Sequence, residues 1–158
     1  EKMSEIIKKC TEIGVSNFYP VISNRSVSIP KNPEEKRNRW EKIALSAASQ
    51  SKQSNVATIH EIAPFEKTLT ELSQNRSKDS CLILANELEI NTHLKDYLQK
   101  HKAPSEIILI IGPEGGFDET EVTFATDLGG QSVSIASTIL RTENAGFFTF
   151  SGVLFNYV

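Results

Sequence analysis

A glycine-rich segment, Ile111-Gly112-Pro113-Glu114-Gly115-Gly116, has the residue types of a ligand-binding loop. Its glycines allow the backbone to approach a ligand closely, and the proline fixes one φ angle. The segment lacks the Lys and the Ser/Thr of a phosphate-binding loop, and the Glu114 carboxylate would repel a phosphate. It therefore favours a neutral or cationic ligand, such as an adenosine edge or a sulfonium. The alternative is a tight strand-to-helix turn that binds nothing.

A second segment, Ile135 to Ala145, also follows a predicted strand and leads into a predicted helix. Ile139 and Leu140 are apolar side chains in a loop, which favours a position lining a pocket. Arg141 and Glu143 would then face the ligand as a charged pair. The alternative is a simple helix start, with Thr142 as the N-cap and Glu143 near the positive end of the helix dipole.

The first third of the chain is basic. Residues 1–52 carry ten Lys/Arg and six Asp/Glu, whereas residues 53–158 carry seven and fourteen. The net charge of −3 argues against a uniformly basic nucleic-acid binder, but a basic third is compatible with a phosphate backbone. Arg25, Arg39, Gln50, Lys52 and Gln53 have side chains suited to phosphate and base-edge contacts. An ordinary solvated surface is the alternative.

The elements that position these loops alternate between strands and helices. Apolar periodicity predicts strands at Asn17 to Ile22, Val56 to Ile62, 81–85, Ile107 to Ile111 and Ser132 to Ile135, and a loop at Gln50 to Val56. It predicts helices over 3–13, from Pro33 after an Asn32 cap, over Pro64 to Ser73 and Thr92 to Lys100, from an Asp118 capping box, and over Thr142 to Tyr157. Such strands, spaced by helices, predict an α/β fold whose mostly parallel sheet is covered on both faces.

The final helix is apolar on nearly every side, with Ala145, Phe147, Phe148, Phe150, Val153, Leu154, Phe155 and Val158. A helix of this kind must be buried all round. A subunit interface in a homodimer is the interpretation we favour, and burial within one chain is the alternative.

Composition narrows the class of protein. The 158 residues, 39% of them apolar, fit one folded domain. No apolar run approaches the ~20 residues of a membrane span, and residues 1–25 do not resemble a secretion signal. The three histidines and two cysteines have no metal-ligand spacing. We expect a cytoplasmic protein, and the start at Glu1 without Met leads us to expect a domain of a longer protein.

Five motifs occur in order along the chain. Residues 9–15 are similar to K-A-T-E-L-G-V, residues 25–27 to R-S-V, Arg39-Trp40 with Ala47 to Gln53 to R-W…A-A-x-Q-S-x-R, Gly112 to Phe117 to G-P-E-G-G-F, and Ile139 to Ala145 to I-L-R-T-E-T-A. Each motif is weak alone, but together they are specific. The chain resembles the RsmE-like 16S rRNA uridine N3-methyltransferases of the SPOUT (α/β-knot) superfamily.

The resemblance implies S-adenosyl-L-methionine as cofactor, S-adenosyl-L-homocysteine as product, and no metal. It implies a C-terminal deep trefoil knot, a homodimer formed through the C-terminal helix, and 16S rRNA, within the assembled small subunit, as partner. Residues 1–158 would be the SPOUT domain, without the N-terminal β-barrel domain of family members. The implied cofactor-binding residues are Leu84, Ala85, Asn86, Ile111, Gly112, Pro113, Glu114, Gly115, Gly116, Ile135, Ala136, Ser137, Ile139, Leu140, Arg141 and Thr142, and the five basic-region residues named above would bind RNA.

The resemblance also implies catalytic residues for methyl transfer to uracil N3. Arg141 would stabilise negative charge on the uracil carbonyls, and Glu143 would act as a base or orient Arg141. Gln53, Ala136 and Asn144 depart from the family's Arg, Gly and Thr. These departures leave open an RNA-binding homologue that has lost catalysis, and a related knotted enzyme that methylates ribose 2′-oxygen is a further alternative.

Overall fold

The computed structural model describes residues 1–27 and 29–157, so Val158 of the predicted apolar helix lies outside the described residues. The helices are α1 (Lys2–Glu12), α2 (Pro33–Gln50), α3 (Phe65–Asn75), α4 (Leu94–Lys100), α5 (Glu119–Asp127) and α6 (Thr142–Tyr157). The strands are β1 (Asn17–Phe18), β2 (Val21–Ile22), β3 (Thr58–Ile59), β4 (Ala63–Pro64), β5 (Ser80–Ala85), β6 (Glu106–Ile111) and β7 (Gln131–Val133).

The main sheet has the order β6-β5-β7, and both strand pairs are parallel. Leu82 and Leu84 of the central strand pack against α3 and α5 with Phe65, Leu69 and Ala125, on one face of the sheet. Cys81 and Ile83 alternate with them and pack against α4 and α6 on the other face, with Leu94, Leu98 and Val153. The predicted parallel sheet with helices on both faces is therefore confirmed.

The N-terminal half forms two short parallel pairs, β1 with β3 and β2 with β4. The prediction of one continuous strand from Asn17 to Ile22 is wrong, because its two halves pair with different partners on either side of Tyr19-Pro20. Pro20 has no N–H to continue the ladder, although its carbonyl accepts the Ala63 N–H. The predicted strand from Val56 to Ile62 is likewise reduced to Thr58–Ile59.

Several predicted helix ends are formed as the sequence indicates. Gly14 has a φ of +97° and ends α1 with two bonds of a Schellman motif, Gly14 N–H to Thr11 O and Val15 N–H to Cys10 O. Asp118 and Glu121 form the full capping box of α5. Asn32 is different, since its side chain makes no cap bond to α2 and instead donates to Glu35 Oε2.

The last helix is only partly buried within the chain. Its buried side includes Gly146, where an added Cβ would lie 3.9 Å from both Ile6 of α1 and Ile111 of β6. Phe148 and Phe155 are 49% and 93% exposed. The described residues of this chain therefore leave this face of α6 uncovered, and the homodimer interface stays a prediction. None of the helices in the described part of the chain is both long and apolar enough to cross a membrane.

Candidate functional site

A cleft of about 330 Å³ opens at the carboxyl ends of β5, β6 and β7. Three loops form its walls, one after each strand, as expected for ligand sites in open parallel sheets. We name them by their residues: the 85–93 loop, the 111–117 loop and the 134–142 loop. The volume lies within the range of roughly 300–1,000 Å³ that small-molecule sites occupy.

Most of the predicted cofactor-binding residues line this cleft. They come from all three loops and comprise Ala85, Asn86, Ile111, Gly112, Pro113, Gly116, Ile135, Ala136, Ser137, Ile139, Leu140 and Thr142. The structure thus brings together the two segments that the sequence singled out. Ala136, one of the departures from the family pattern, is among the lining residues.

Four predicted cofactor-binding residues do not line the cleft. Leu84 is 1% exposed and lies in the core beneath α3 and α5, because alternate residues of a strand face opposite sides. Glu114 points to Lys2, with Oε1 2.6 Å from Nζ. The Gly115 carbonyl accepts a hydrogen bond from Arg25 Nη1 at 3.0 Å, and Arg141 is exposed beside the cleft.

Other lining residues were missed. Glu87, Leu88, Glu89, Ile90 and His93 follow β5, Phe117 and Ser134 adjoin the two predicted segments, and Thr138 and Ala145 lie within the second segment but were not predicted to bind the cofactor. The segment from Glu87 to His93 matches no motif, which is why it was missed. Its position after the most buried strand could have predicted it, because ligands in open parallel sheets bind at the carboxyl ends of the strands, and this holds for β5 as for β6 and β7.

The 111–117 loop is a tight turn closed by a bond from Gly116 N–H to Pro113 O at 2.9 Å. Gly116 has a φ of +67°, a left-handed conformation that favours glycine. A Cβ at this position would lie 2.9 Å from Glu87 Oε1, so the turn and the 85–93 loop approach closely. The absence of a side chain here leaves room for the cleft.

Thr142 connects the two predicted loops. Its Oγ1 donates to the Gly112 carbonyl at 3.2 Å. The expectation that Thr142 caps α6 is wrong: Thr142 is already the first helical residue, and the backbone carbonyl that accepts from Asn144 and Ala145 belongs to Arg141. The hydroxyl instead fixes the start of α6 against the 111–117 loop.

The charge of the cleft is negative. Among the described lining residues, Glu87 and Glu89 are the carboxylates, and no lysine or arginine contributes to the walls. Hydrogen bonds from backbone N–H groups, first of all that of Asn91, hold the pKa of Glu89 below its ordinary value. Apolar side chains such as Ile111, Ile135 and Leu140 supply flat surface for an aromatic ring. The cleft therefore favours a ligand that is part apolar and part cationic.

The predicted charged pair at the start of α6 is not formed as an ion pair between Arg141 and Glu143. Glu143 is buried, 9% exposed, and its Oε2 has no hydrogen-bond partner among the described residues. Lys2 lies close to this group: its bond to Glu114 raises its pKa, the charge of Glu143 adds to the increase, and Arg141 opposes it. The start of α6 thus combines an exposed guanidinium, an ammonium and a buried carboxylate oxygen that can accept a proton or a hydrogen bond.

The predicted RNA-binding residues lie on different elements. Arg25 contacts the 111–117 loop. Arg39 is exposed on α2, where it borders an open depression at the start of that helix. Gln50, Lys52 and Gln53 lie at the other end of α2, and Gln53 Nε2 donates to the Glu12 carbonyl of α1. Gln50 lies eleven positions after Arg39 along the helix, a rise of about 16 Å, so these residues do not form one cluster.

The comparison with known families decides the class of this chain. The family described as the RNA methyltransferase domain matches residues 1–154. The chain belongs to this family. The resemblance drawn from the five sequence motifs is confirmed.

Similar proteins and structures agree with this assignment. The chain is 30% identical over 158 residues to the ribosomal RNA small subunit methyltransferase E of Bacillus subtilis (strain 168), covering 97% of this chain and 60% of the relative. It is 35% identical over 143 residues to the enzyme of the same name from Mesomycoplasma hyopneumoniae (strain 232), covering 90% and 59%. The chain therefore spans about 60% of the length of these curated relatives.

A crystal structure of the ribosomal RNA small subunit methyltransferase E from Neisseria gonorrhoeae bound to S-adenosyl methionine superposes with a TM-score of 0.83. Its sequence is 27% identical, and the alignment covers 99% of this chain and 61% of that one.

Proposed function

We propose that this protein transfers the methyl group of S-adenosyl-L-methionine to uracil N3 of a uridine in 16S rRNA of the small ribosomal subunit. The observation that supports this proposal best is the charge of the cleft, which has carboxylates from Glu87 and Glu89 and no basic side chain among its described lining residues. S-adenosyl-L-methionine carries a sulfonium and an ammonium against one carboxylate, so a negative cleft attracts it. A nucleotide phosphate would be repelled.

The lining residues suit the chemistry of this cofactor. Ile111, Ile135 and Leu140 would pack against the adenine ring, and the glycine turn at Gly112 and Gly116 allows the backbone to approach it. Asn86 and Ser137 provide polar groups for the ribose or the amino-acid part. When bound, the cofactor supplies an electrophilic methyl group. No metal ion takes part in the reaction we propose.

The start of α6 would act on the uracil. Glu143 has a buried oxygen for which the described residues offer no hydrogen-bond partner, so it would accept the N3 proton. Arg141, which is exposed beside the cleft, would donate hydrogen bonds to a uracil carbonyl as negative charge develops there. N3 takes part in base pairing, so the uridine must be unpaired or flipped out of its helix.

The proposal extends to the remaining features implied by the resemblance. Residues 1–158 would form the SPOUT domain, closed by a C-terminal trefoil knot, and Arg25, Arg39, Gln50, Lys52 and Gln53 would bind RNA. Two copies would pair through α6, since Phe148 and Phe155 are apolar and exposed in the single chain. The partner would be 16S rRNA within the assembled small subunit, which places the protein in the cytoplasm.

The test is mass spectrometry of 16S rRNA nucleosides from cells with and without the gene. The proposal predicts that 3-methyluridine is lost from 16S rRNA in the deletion strain and restored by the wild-type gene. Restoration should fail with a Glu143→Gln gene. Unchanged 3-methyluridine in the deletion strain would contradict the proposal, and loss of a 2′-O-methylated nucleoside instead would indicate ribose methylation.

A further inference from the structure

The two residues Asn24 and Arg25, which we name the 24–25 turn, connect the N-terminal half of the chain to the region of the glycine loop. Asn24 Nδ2 donates to Asp118 Oδ2 at 2.7 Å, and the Asn24 N–H donates to Glu121 Oε1 at 2.8 Å. Arg25 Nη1 donates to the Gly115 carbonyl at 3.0 Å. The 24–25 turn therefore bonds both to the 111–117 loop and to the first turn of α5, which follows that loop directly.

The carboxylate of Glu121 holds the 24–25 turn in place. This side chain is 2% exposed, and its two oxygens accept different backbone donors, Asn24 N–H at Oε1 and Asp118 N–H at Oε2. A buried carboxylate is unfavourable unless donors satisfy it. Moving the 24–25 turn away would leave a buried oxygen without its donor, so the turn has one favoured position.

The charge of Asp118 fixes the orientation of the Asn24 amide. The Thr120 hydroxyl, the Glu121 N–H and the Asn24 amide lower the pKa of Asp118 to about 2. At neutral pH its carboxylate is therefore charged and can only accept hydrogen bonds. The Asn24 amide must then be oriented with its NH₂ group toward Asp118.

On its other side the same segment forms a wall of the cleft. Gly112, Pro113, Gly116 and Phe117 line the cleft, while the Gly115 carbonyl between them bonds to the 24–25 turn. A Cβ at Gly115 would lie 3.2 Å from the Cβ of Arg25, so the two backbones are in close contact. The position of the 24–25 turn consequently sets the position of this cleft wall.

We propose that Asn24 and Glu121 are positioning residues for the methyl-donor site: they hold the 111–117 loop in the geometry that binds S-adenosyl-L-methionine, without contacting the ligand. This inference rests on the proposed function and adds residues that neither the sequence motifs nor the cleft lining identified.

The variant that isolates this role is Asn24→Asp. Its side chain has the shape of Asn but replaces the donor with a second carboxylate facing Asp118, so the two charges repel. The double variant N24D/D118N exchanges donor and acceptor. The new amide at position 118 would then donate through its NH₂ group to the new carboxylate at position 24, while its carbonyl oxygen still accepts the Glu121 N–H. The matched control is Glu119→Gln, an exposed acid in the same helical turn that makes none of these bonds.

The measurement is calorimetric titration of the full chain with S-adenosyl-L-homocysteine. We expect N24D to bind on the order of tenfold more weakly, N24D/D118N to recover most of the affinity, and E119Q to match the wild type. Steady-state kinetics should show a raised KM for the methyl donor with kcat at saturation nearly unchanged, because the reacting groups are intact. A second variant, Arg25→Gln, tests the same contact if N24D does not fold. Arg25 is exposed, and the change removes its bond to the Gly115 carbonyl, so R25Q should also bind the ligand more weakly.

The outcomes separate the two proposals. If the wild-type chain binds S-adenosyl-L-homocysteine and N24D and R25Q bind it equally well, the positioning role is wrong while the proposed function stands. Weaker binding by N24D without recovery in the double variant would also overturn the positioning role, because the loss of affinity would then come from a general disturbance of the fold and not from the lost bond to Asp118. If the wild-type chain gives no binding heat, both the proposed function and this inference fail.

Discussion

Two glycines with left-handed φ angles offer a matched pair of perturbations. Gly14 (φ +97°) ends α1, and apart from its chain neighbours no described residue lies within 4 Å of a Cβ added there. Gly116 (φ +67°) lies in the 111–117 loop, and its added Cβ would lie 2.9 Å from Glu87 Oε1. Both Ala variants incur the backbone strain of a left-handed residue, but only Gly116→Ala acts next to the cleft.

The loss of stability should be similar for the two variants. A left-handed conformation costs a residue with a Cβ ~1–2 kcal/mol, and the reduced entropy of the unfolded chain offsets ~0.4–1 kcal/mol of this. We expect a net loss of about 1 kcal/mol, a fall in Tm of roughly 2–4 °C for a chain of this size. The contact of Gly116→Ala with Glu87 adds little to the loss, because the carboxylate lies at the end of a flexible, exposed side chain.

The two variants should differ in their affinity for S-adenosyl-L-homocysteine. Gly116→Ala strains the turn and displaces the Glu87 carboxylate from the cleft wall, so its affinity for S-adenosyl-L-homocysteine should fall about three- to tenfold. Gly14→Ala should bind like the wild type. Urea unfolding and calorimetric titration of both variants make the comparison. Equal losses of affinity in the two variants, or none in Gly116→Ala, would refute the role of this turn as a cleft wall.

Other predictions concern the site, the pH dependence and the thiols. Glu143→Gln should lower the rate of methyl transfer to rRNA ~100-fold or more with unchanged affinity for S-adenosyl-L-homocysteine, and an undiminished rate in a radiolabelled-methyl assay would exclude Glu143 as the base. Thr142→Val removes the bond to Gly112 and should cost about 1 kcal/mol in urea unfolding; no loss would show that the bond does not contribute. The pKa of Asp118 is lowered from 3.8 to about 2 in the folded protein, so the stabilisation by its carboxylate is present above pH 4 and is lost as the pH falls through 2. The difference in free energy of unfolding between the wild type and Asp118→Ala should therefore shrink between pH 4 and pH 2. A difference that stays constant over this range would contradict the role of the Asp118 carboxylate. Burial raises the pKa of Cys10 to about 11, so this thiol should react with a disulfide reagent at pH 8 only after unfolding, which a titration of native and denatured protein measures.

The strands β5 and β6 of the main sheet were predictable because each is marked by a continuous apolar run in the sequence itself. Residues 81–85 and 107–111 are continuous apolar runs, and that pattern alone predicts strands covered by helices. In the structure 81–84 are buried, whereas 107–111 are mostly half-buried. The N-terminal pairs were not predictable in the same way. Pro20 weakens the strand pattern of Asn17 to Ile22, but only the remote partners β3 and β4 show that its two halves pair separately.

The candidate site was predictable where motifs and strand ends coincide. The 111–117 and 134–142 loops were identified by residue types and order, and both line the cleft. The Leu84 side chain does not line the cleft, because sequence position does not say which face of the sheet a side chain takes. Asn24 and Glu121 were out of reach for a different reason: they are 97 residues apart, and their contact depends on the fold as a whole.

Gly146 of α6 lies against Ile6 of α1 and Ile111 of β6, so the order of synthesis decides when the cleft is completed. A chain is synthesised from its N-terminus, so the side of α1 that packs on α6 stays uncovered until α6 has been synthesised. Ala145 also forms part of the cleft, and so the cleft is completed only when α6 is in place. A nascent chain that still lacks α6 therefore has an incomplete cleft, and the proposed binding of the methyl donor must wait until α6 has been synthesised and packed.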